Sequence, residues 1–197
     1  MLSPDHKSVL ILGGARSGKS AYAEEMLLSC DDAPHYLATS DALDAEMSHR
    51  IAQHRDRRGS RWSLTEEPLE LCDALRRADR HNKAVLVDCL TLWLSNLMHS
   101  ERDITRETDR LIELLPALNA TIVFVSNEVG LGIVPENRLA RQFRDHQGVL
   151  NRKLAACVDR VDFIAAGLPL TLTSPCLRQT EYQSPSSPDF LGLAKPH

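Results

Sequence analysis

The sequence has little that would commit it to a membrane, an oxidising compartment or a polyanion. Near its N-terminus the only apolar run is Val9-Leu10-Ile11-Leu12, far short of a signal-peptide core or of the roughly 20 residues that cross a bilayer. It has no C-x-x-C pair, and its five cysteines, Cys30, Cys72, Cys89, Cys157 and Cys176, are scattered. That pattern suits neither a disulfide framework nor a zinc site. Read as small apolar residues in a reducing environment, they place the expected location in the cytoplasm. Neither sign of charge dominates, because 23 basic side chains stand against 27 acidic ones for a formal charge of −4. With no extended basic-aromatic strip either, nucleic acid and anionic lipid are not expected partners.

What is present is enough for one domain: 197 residues, of which 43% are hydrophobic, can bury a sizeable core. Short apolar runs alternate with amphipathic stretches, the mark of βαβ units around a parallel sheet. Val9–Leu12, Tyr36–Ala38, Val85–Val87, Ile122–Val125 and Phe163–Ala166 read as buried strands. Leu43, Met47 and Ile51 recur at helical spacing, as do Leu111, Leu114, Leu115 and Leu118. The expected fold is a three-layer α/β domain with a mainly parallel central sheet over residues 1–169. From 170 to 197 the chain is rich in Pro and Ser with little periodicity, and it reads as a flexible tail.

The first strand feeds Gly13-Gly14-Ala15-Arg16-Ser17-Gly18-Lys19-Ser20, a G-x-x-x-x-G-K-S pattern, and a helix follows through Ala21, Ala23, Met26 and Leu27. Strand, glycine loop and helix are the context that this phosphate-binding motif requires. Glycines let the backbone wrap close to anionic oxygens, so that successive N–H groups and the helix N-terminus point at phosphates. Lys19 supplies a charge for β- and γ-phosphates, and the Ser20 hydroxyl suits a magnesium shell. Asp88 ends the Val85–Val87 strand, and a carboxylate at the carboxyl end of a neighbouring parallel strand is the second expected magnesium ligand. Capping of a helix that starts near Leu90 is the competing role for Asp88.

Three further segments are specific. They are Ala38-Thr39-Ser40 leading into Glu46–Arg55, Val87-Asp88-Cys89-Leu90-Thr91-Leu92-Trp93-Leu94-Ser95-Asn96, and the run from Asn127 to Leu154 with Asn127-Glu128-Val129-Gly130 and Gly132-Ile133-Val134-Pro135-Glu136-Asn137-Arg138. With the glycine loop, they resemble the bifunctional adenosylcobinamide kinase / adenosylcobinamide-phosphate guanylyltransferase family of cobalamin biosynthesis, over about residues 8–167. The resemblance implies a RecA-like P-loop NTPase fold, a homotrimer, and two reactions at one loop. A nucleoside triphosphate, ATP or GTP, phosphorylates the hydroxyl of adenosylcobinamide. GTP then gives GMP, through a histidine–GMP intermediate, to that phosphate, forming adenosylcobinamide-GDP and pyrophosphate. It also implies nucleotide contacts at Thr39, Ser40, Asp41, Arg55, Asp56, Arg57, Arg58, Glu66 and Asp88.

His54 stands at the family's R-I-x-x-H position, which makes it the implied nucleophile. The residues agree with that role. A neutral imidazole attacks an α-phosphate without first losing a proton from the attacking nitrogen, and His54 follows Ile51 by three residues and Met47 by seven, at the edge of the apolar face of a helix over 43–57. His49 is the rival, about 140° away around that helix. Arg55, Arg57 and Arg58 suit phosphate oxygens, or form a solvated helix end. Glu128, just after the Ile122–Val125 strand, is placed to orient an attacking hydroxyl or to hold magnesium, or else to cap a helix or make a turn. Arg138, Arg141 and Arg144 line one helix side, either toward phosphate or in ion pairs with Glu136 and Asp145; Trp62 and Trp93 read as packing residues. The alternatives are a monofunctional small-molecule kinase or guanylyltransferase, and a nucleotide-dependent binding or recombination-type module.

Overall fold

The computed structural model describes residues 6–40, 61–81 and 83–172. The expected helix over 43–57, with His49 and His54, lies outside the described residues, as do Asp41, Arg55, Asp56, Arg57, Arg58 and the tail from 173. Among the described residues the chain runs β1 (Ser8–Gly13), α1 (Lys19–Leu28), β2 (His35–Ala38), β3 (Ser63–Glu66), α2 (Leu71–Asp79), β4 (Val85–Asp88), α3 (Leu90–His99), α4 (Ile104–Leu114), β5 (Ile122–Val125), α5 (Arg138–Ala155), β6 (Arg160–Ala165) and β7 (Leu168–Thr171).

The strands form one sheet in the order β3-β2-β4-β5-β1-β6-β7. All neighbours pair in parallel except β6 and β7, which are antiparallel. Strands covered on both faces need apolar side chains at consecutive positions, and β1 supplies them: Val9, Leu10 and Ile11 are fully buried. Alternate residues serve opposite layers. Leu10 and Leu12 pack with Leu75, Trp93, Leu111 and Leu150 from α2, α3, α4 and α5. Val9 and Ile11 pack with Ala23, Met26 and Leu27 of α1. The result is the expected three-layer domain.

Ile122–Val125 has the expected bounds, and the other core strands differ from expectation by one to three residues. β6 begins at Arg160 rather than Phe163, because Asp162 is fully buried yet satisfied. It accepts hydrogen bonds from Tyr22 Oη at 3.0 Å, Arg160 Nε at 3.0 Å and Thr171 Oγ1 at 2.8 Å. That carboxylate joins α1, β6 and β7. β7 carries Leu170 and Thr171 into the sheet, two residues past the expected boundary at 169. α4 stops at Leu114 because Pro116 follows. A single 3-10 turn at Leu115–Ala117 still delivers Leu115 and Leu118 to the core. No described helix is long and apolar enough to cross a membrane.

Candidate nucleotide-binding site

The turn from β1 into α1 is a loop of special backbone conformations. Gly13 has φ 151° and Gly18, the N-cap of α1, has φ 98°. The loop is tied on two sides: Gly167 N donates to Ser17 O at 2.9 Å, and Glu128 N donates to Gly13 O at 3.0 Å. Ser17 Oγ is buried without a hydrogen-bond partner among the described residues, a polar atom suited to an incoming phosphate oxygen. Gly13 also has no room for a side chain, since a β-carbon there would stand 2.5 Å from Ile164 O and 2.8 Å from Ser17 Oγ. Gly13→Ala is therefore expected to lower stability by about 3 kcal/mol through backbone strain and overpacking. In a domain of this size that is a melting temperature about 6–12 °C lower, measurable by circular dichroism.

Lys19 opens α1 only 7% exposed, and its Nζ donates to Gly14 O at 2.6 Å. Burial lowers its pKa, while Cys89 and Asp88 act in the opposite direction. The ammonium thus lies under the loop, short of solvent and close to the end of β4, where an added phosphate charge would be strongly felt. Ser20, the next residue, is half-buried.

β4 is not the neighbour of β1. The strand order sets β5 between them, which corrects the expectation that Asp88 ends an adjacent strand. Asp88 still reaches the same carboxyl edge, and Lys19 feels its charge. Its Oδ2 accepts from Tyr36 Oη at 2.5 Å, and Tyr36 packs edge-on against Trp62, with ring centroids 5.8 Å apart. The N-cap of α3 is Cys89, with no side-chain cap bond, so Asp88 does not cap that helix. Burial pushes the Cys89 thiol up to about 11, which keeps it neutral beside the carboxylate.

A hydrogen-bonded latch holds this edge. Thr39 Oγ1 donates to Cys89 O at 2.7 Å and accepts from Cys89 N at 2.9 Å, and Asn96 Nδ2 donates to Thr39 O at 2.7 Å and Pro68 O at 3.1 Å. Thr39 is thereby fully buried as a strut, with half-buried Ser40 next to it. Glu66 is exposed at the end of β3, in one cross-strand row with Ala38 and Asp88. The described site residues therefore share one edge of the sheet. A hydroxyl and a carboxylate, Ser20 and Asp88, are hard oxygen donors that fit magnesium. No group of three or more His, Cys, Asp or Glu among the described residues forms a metal cage.

The sequence reading missed the support behind β5. Ser126 Oγ donates to Asn151 Oδ1 at 2.6 Å, Gln147 Nε2 donates to Ser126 Oγ at 2.9 Å, and Asn151 Nδ2 donates to Asn127 O at 3.0 Å. The available signal was two amides four residues apart on α5, one face of a helix. Arg141 Nη1 donates to Pro135 O at 3.0 Å and Glu136 O at 2.5 Å rather than to a phosphate-facing position. Arg144 approaches Asp145 at 3.7 Å and Arg138 is exposed. Trp93 is fully buried and donates Nε1 to Leu69 O at 2.9 Å, so it is a packing residue.

Fold and loop together define a P-loop NTPase. The assembled ATPase EscN of the enteropathogenic E. coli type III secretion system shares that fold, with a TM-score of 0.53 and 10% identity over 82% of this chain and 43% of its own. Sequence comparison is narrower: residues 9–172 match the model of the family described as cobinamide kinase / cobinamide phosphate guanyltransferase, and the chain belongs to that family. It is 46% identical to the bifunctional adenosylcobalamin biosynthesis protein CobP of Pseudomonas aeruginosa, over 83% of this chain and 95% of that protein. It is 42% identical to the corresponding CobU of Salmonella typhimurium, over 81% of this chain and 96% of that protein, and 38% identical to that of Escherichia coli.

Proposed function

We propose that this chain carries out both reactions of a bifunctional cobalamin-biosynthesis transferase. It phosphorylates adenosylcobinamide with ATP or GTP, then transfers GMP from GTP to the phosphate it has made, by way of a GMP–His54 intermediate. The observation that carries this reading is the buried Lys19 ammonium beneath the glycine loop and within reach of the Asp88 charge, in a chain that spans 95% of a relative named as bifunctional.

One phosphate cradle serves both displacements. In the first, negative charge grows on the migrating γ-phosphoryl group and the departing diphosphate. In the second, it grows on departing pyrophosphate. The loop N–H groups and Lys19 would stabilise that charge in either case. Gly13, Gly14, Ala15, Arg16, Ser17, Gly18, Lys19 and Ser20 form the cradle. Thr39, Ser40, Asp41, Arg55, Asp56, Arg57, Arg58, Glu66 and Asp88 complete the nucleotide contacts. Ser20 and Asp88 would hold Mg2+, which supplies charge neutralisation on the phosphates. A cytoplasmic homotrimer, acting on adenosylcobinamide and its phosphate without nucleic acid, completes the reading.

Incubating the purified protein with GTP tests it. One acid-labile GMP per chain, seen by intact mass with release of pyrophosphate, is the expected result. A protein that hydrolyses or binds GTP without acquiring the adduct would sink the histidine route.

A further inference from the structure

Glu128 has a place at the carboxyl edge of the sheet that the nucleotide contacts leave unused. β5 lies between β1 and β4, and its Val125 is level with Ile11 on one side and Asp88 on the other. Past Val125 the chain continues beside β1: Ser126 N donates to Ile11 O at 2.9 Å, and Glu128 N donates to Gly13 O at 3.0 Å. Glu128 is thus level with the first residue of the phosphate loop, between the strand that leads to Lys19 and the strand that ends in Asp88. The backbone beneath it is fixed. Asn127 N donates to Thr91 Oγ1 at 2.8 Å, and Asn127 O accepts from the buried Asn151.

The side chain is half-buried, and Oε1 accepts from Gly130 N at 2.5 Å. A carboxylate has two oxygens and about four acceptor positions. The turn thus engages one oxygen, and the carboxylate keeps acceptor capacity for a proton. A turn alone would be served as well by an amide, so the distinguishing property of Glu128 is its basicity.

The two reactions of this site differ in their need for a base. In the first the acceptor is a neutral hydroxyl, which must lose a proton as its oxygen bonds to phosphorus. In the second it is a phosphate, already anionic near pH 7. Resting on the reaction sequence proposed above, we infer that Glu128 is the general base of the phosphorylation step alone. Its carboxylate takes the hydroxyl proton while the new O–P bond forms at the γ-phosphorus. The bond from that phosphorus to the β-phosphate oxygen breaks, and the nucleoside diphosphate leaves with the electron pair.

Glu128→Gln tests the inference because the amide oxygen can keep the bond to Gly130 N while basicity is lost. Phosphorylation of adenosylcobinamide by ATP is expected to slow roughly 100- to 10,000-fold. Transfer of GMP from GTP to separately prepared adenosylcobinamide phosphate is expected to change by less than about threefold. Glu128→Asp, which keeps a carboxylate, is expected to recover part of the phosphorylation rate. Equal phosphorylation by Glu128→Gln and wild type would overturn the assignment, and so would parallel loss of both half-reactions, the mark of a residue that only shapes the loop. A wild type that cannot phosphorylate adenosylcobinamide removes the bifunctional reading and this base together. A working wild type with an equally active variant removes the base alone.

Discussion

Lys19→Ala is expected to reduce both half-reactions by roughly 100- to 1,000-fold, the effect of removing one preorganised donor from a site of developing charge. The reason lies in where the ammonium sits. It is buried, its pKa is lowered by desolvation, and its bond goes to a loop carbonyl, Gly14 O, at 2.6 Å. An arriving triphosphate offers it a stronger, charged acceptor. The interaction grows further as charge moves onto the phosphates that leave, so kcat falls along with affinity. Phosphorylation of adenosylcobinamide and single-turnover formation of the GMP adduct should therefore decline together. Loss of only one would mean that the two reactions do not share the cradle. A circular dichroism melt of the variant separates a catalytic loss from an unfolded protein.

His54→Ala is expected to abolish the GMP adduct entirely and to leave His49→Ala labelled like the wild type. The two positions are five apart, so on the expected helix they point about 140° away from each other, and one in-line approach to an α-phosphate cannot serve both. In the proposed reaction sequence, phosphorylation with ATP bypasses the histidine, so it should persist in His54→Ala. Intact mass after GTP treatment gives the first result, and transfer of labelled γ-phosphate from ATP gives the second. An adduct that persists in His54→Ala and vanishes in His49→Ala would move the nucleophile one face around the helix.

The parts legible in the sequence are those whose chemistry leaves few alternatives. The glycine loop was readable because only certain residues tolerate its backbone, as the positive φ angles of Gly13 and Gly18 bear out. The central strands were readable because burial on both faces demands consecutive apolar residues. β3 and β7 escaped notice because edge strands escape that demand: Ser63–Glu66 alternates half-buried with exposed positions, and Leu168–Thr171 is exposed throughout. Strand order was equally hidden, since nothing in Asp88 or its neighbours announces that β5 separates it from β1. The Ser126–Gln147–Asn151 cluster looks like surface chemistry in one dimension and is buried because its members bond one another, with Gln147 Oε1 left without a partner among the described residues. The expected helix over 43–57, with both histidines and its arginines, lies outside the described residues.

The hairpin that closes the sheet has a consequence for biogenesis. The glycine turn is translated well before its lateral braces, Ile164 O against Gly13 and Gly167 N on Ser17 O. At about 5–20 residues per second, a nascent chain spends roughly 7–30 s with its glycine turn synthesised but unbraced. A polypeptide that stops short of that hairpin would hold its glycine turn without either support.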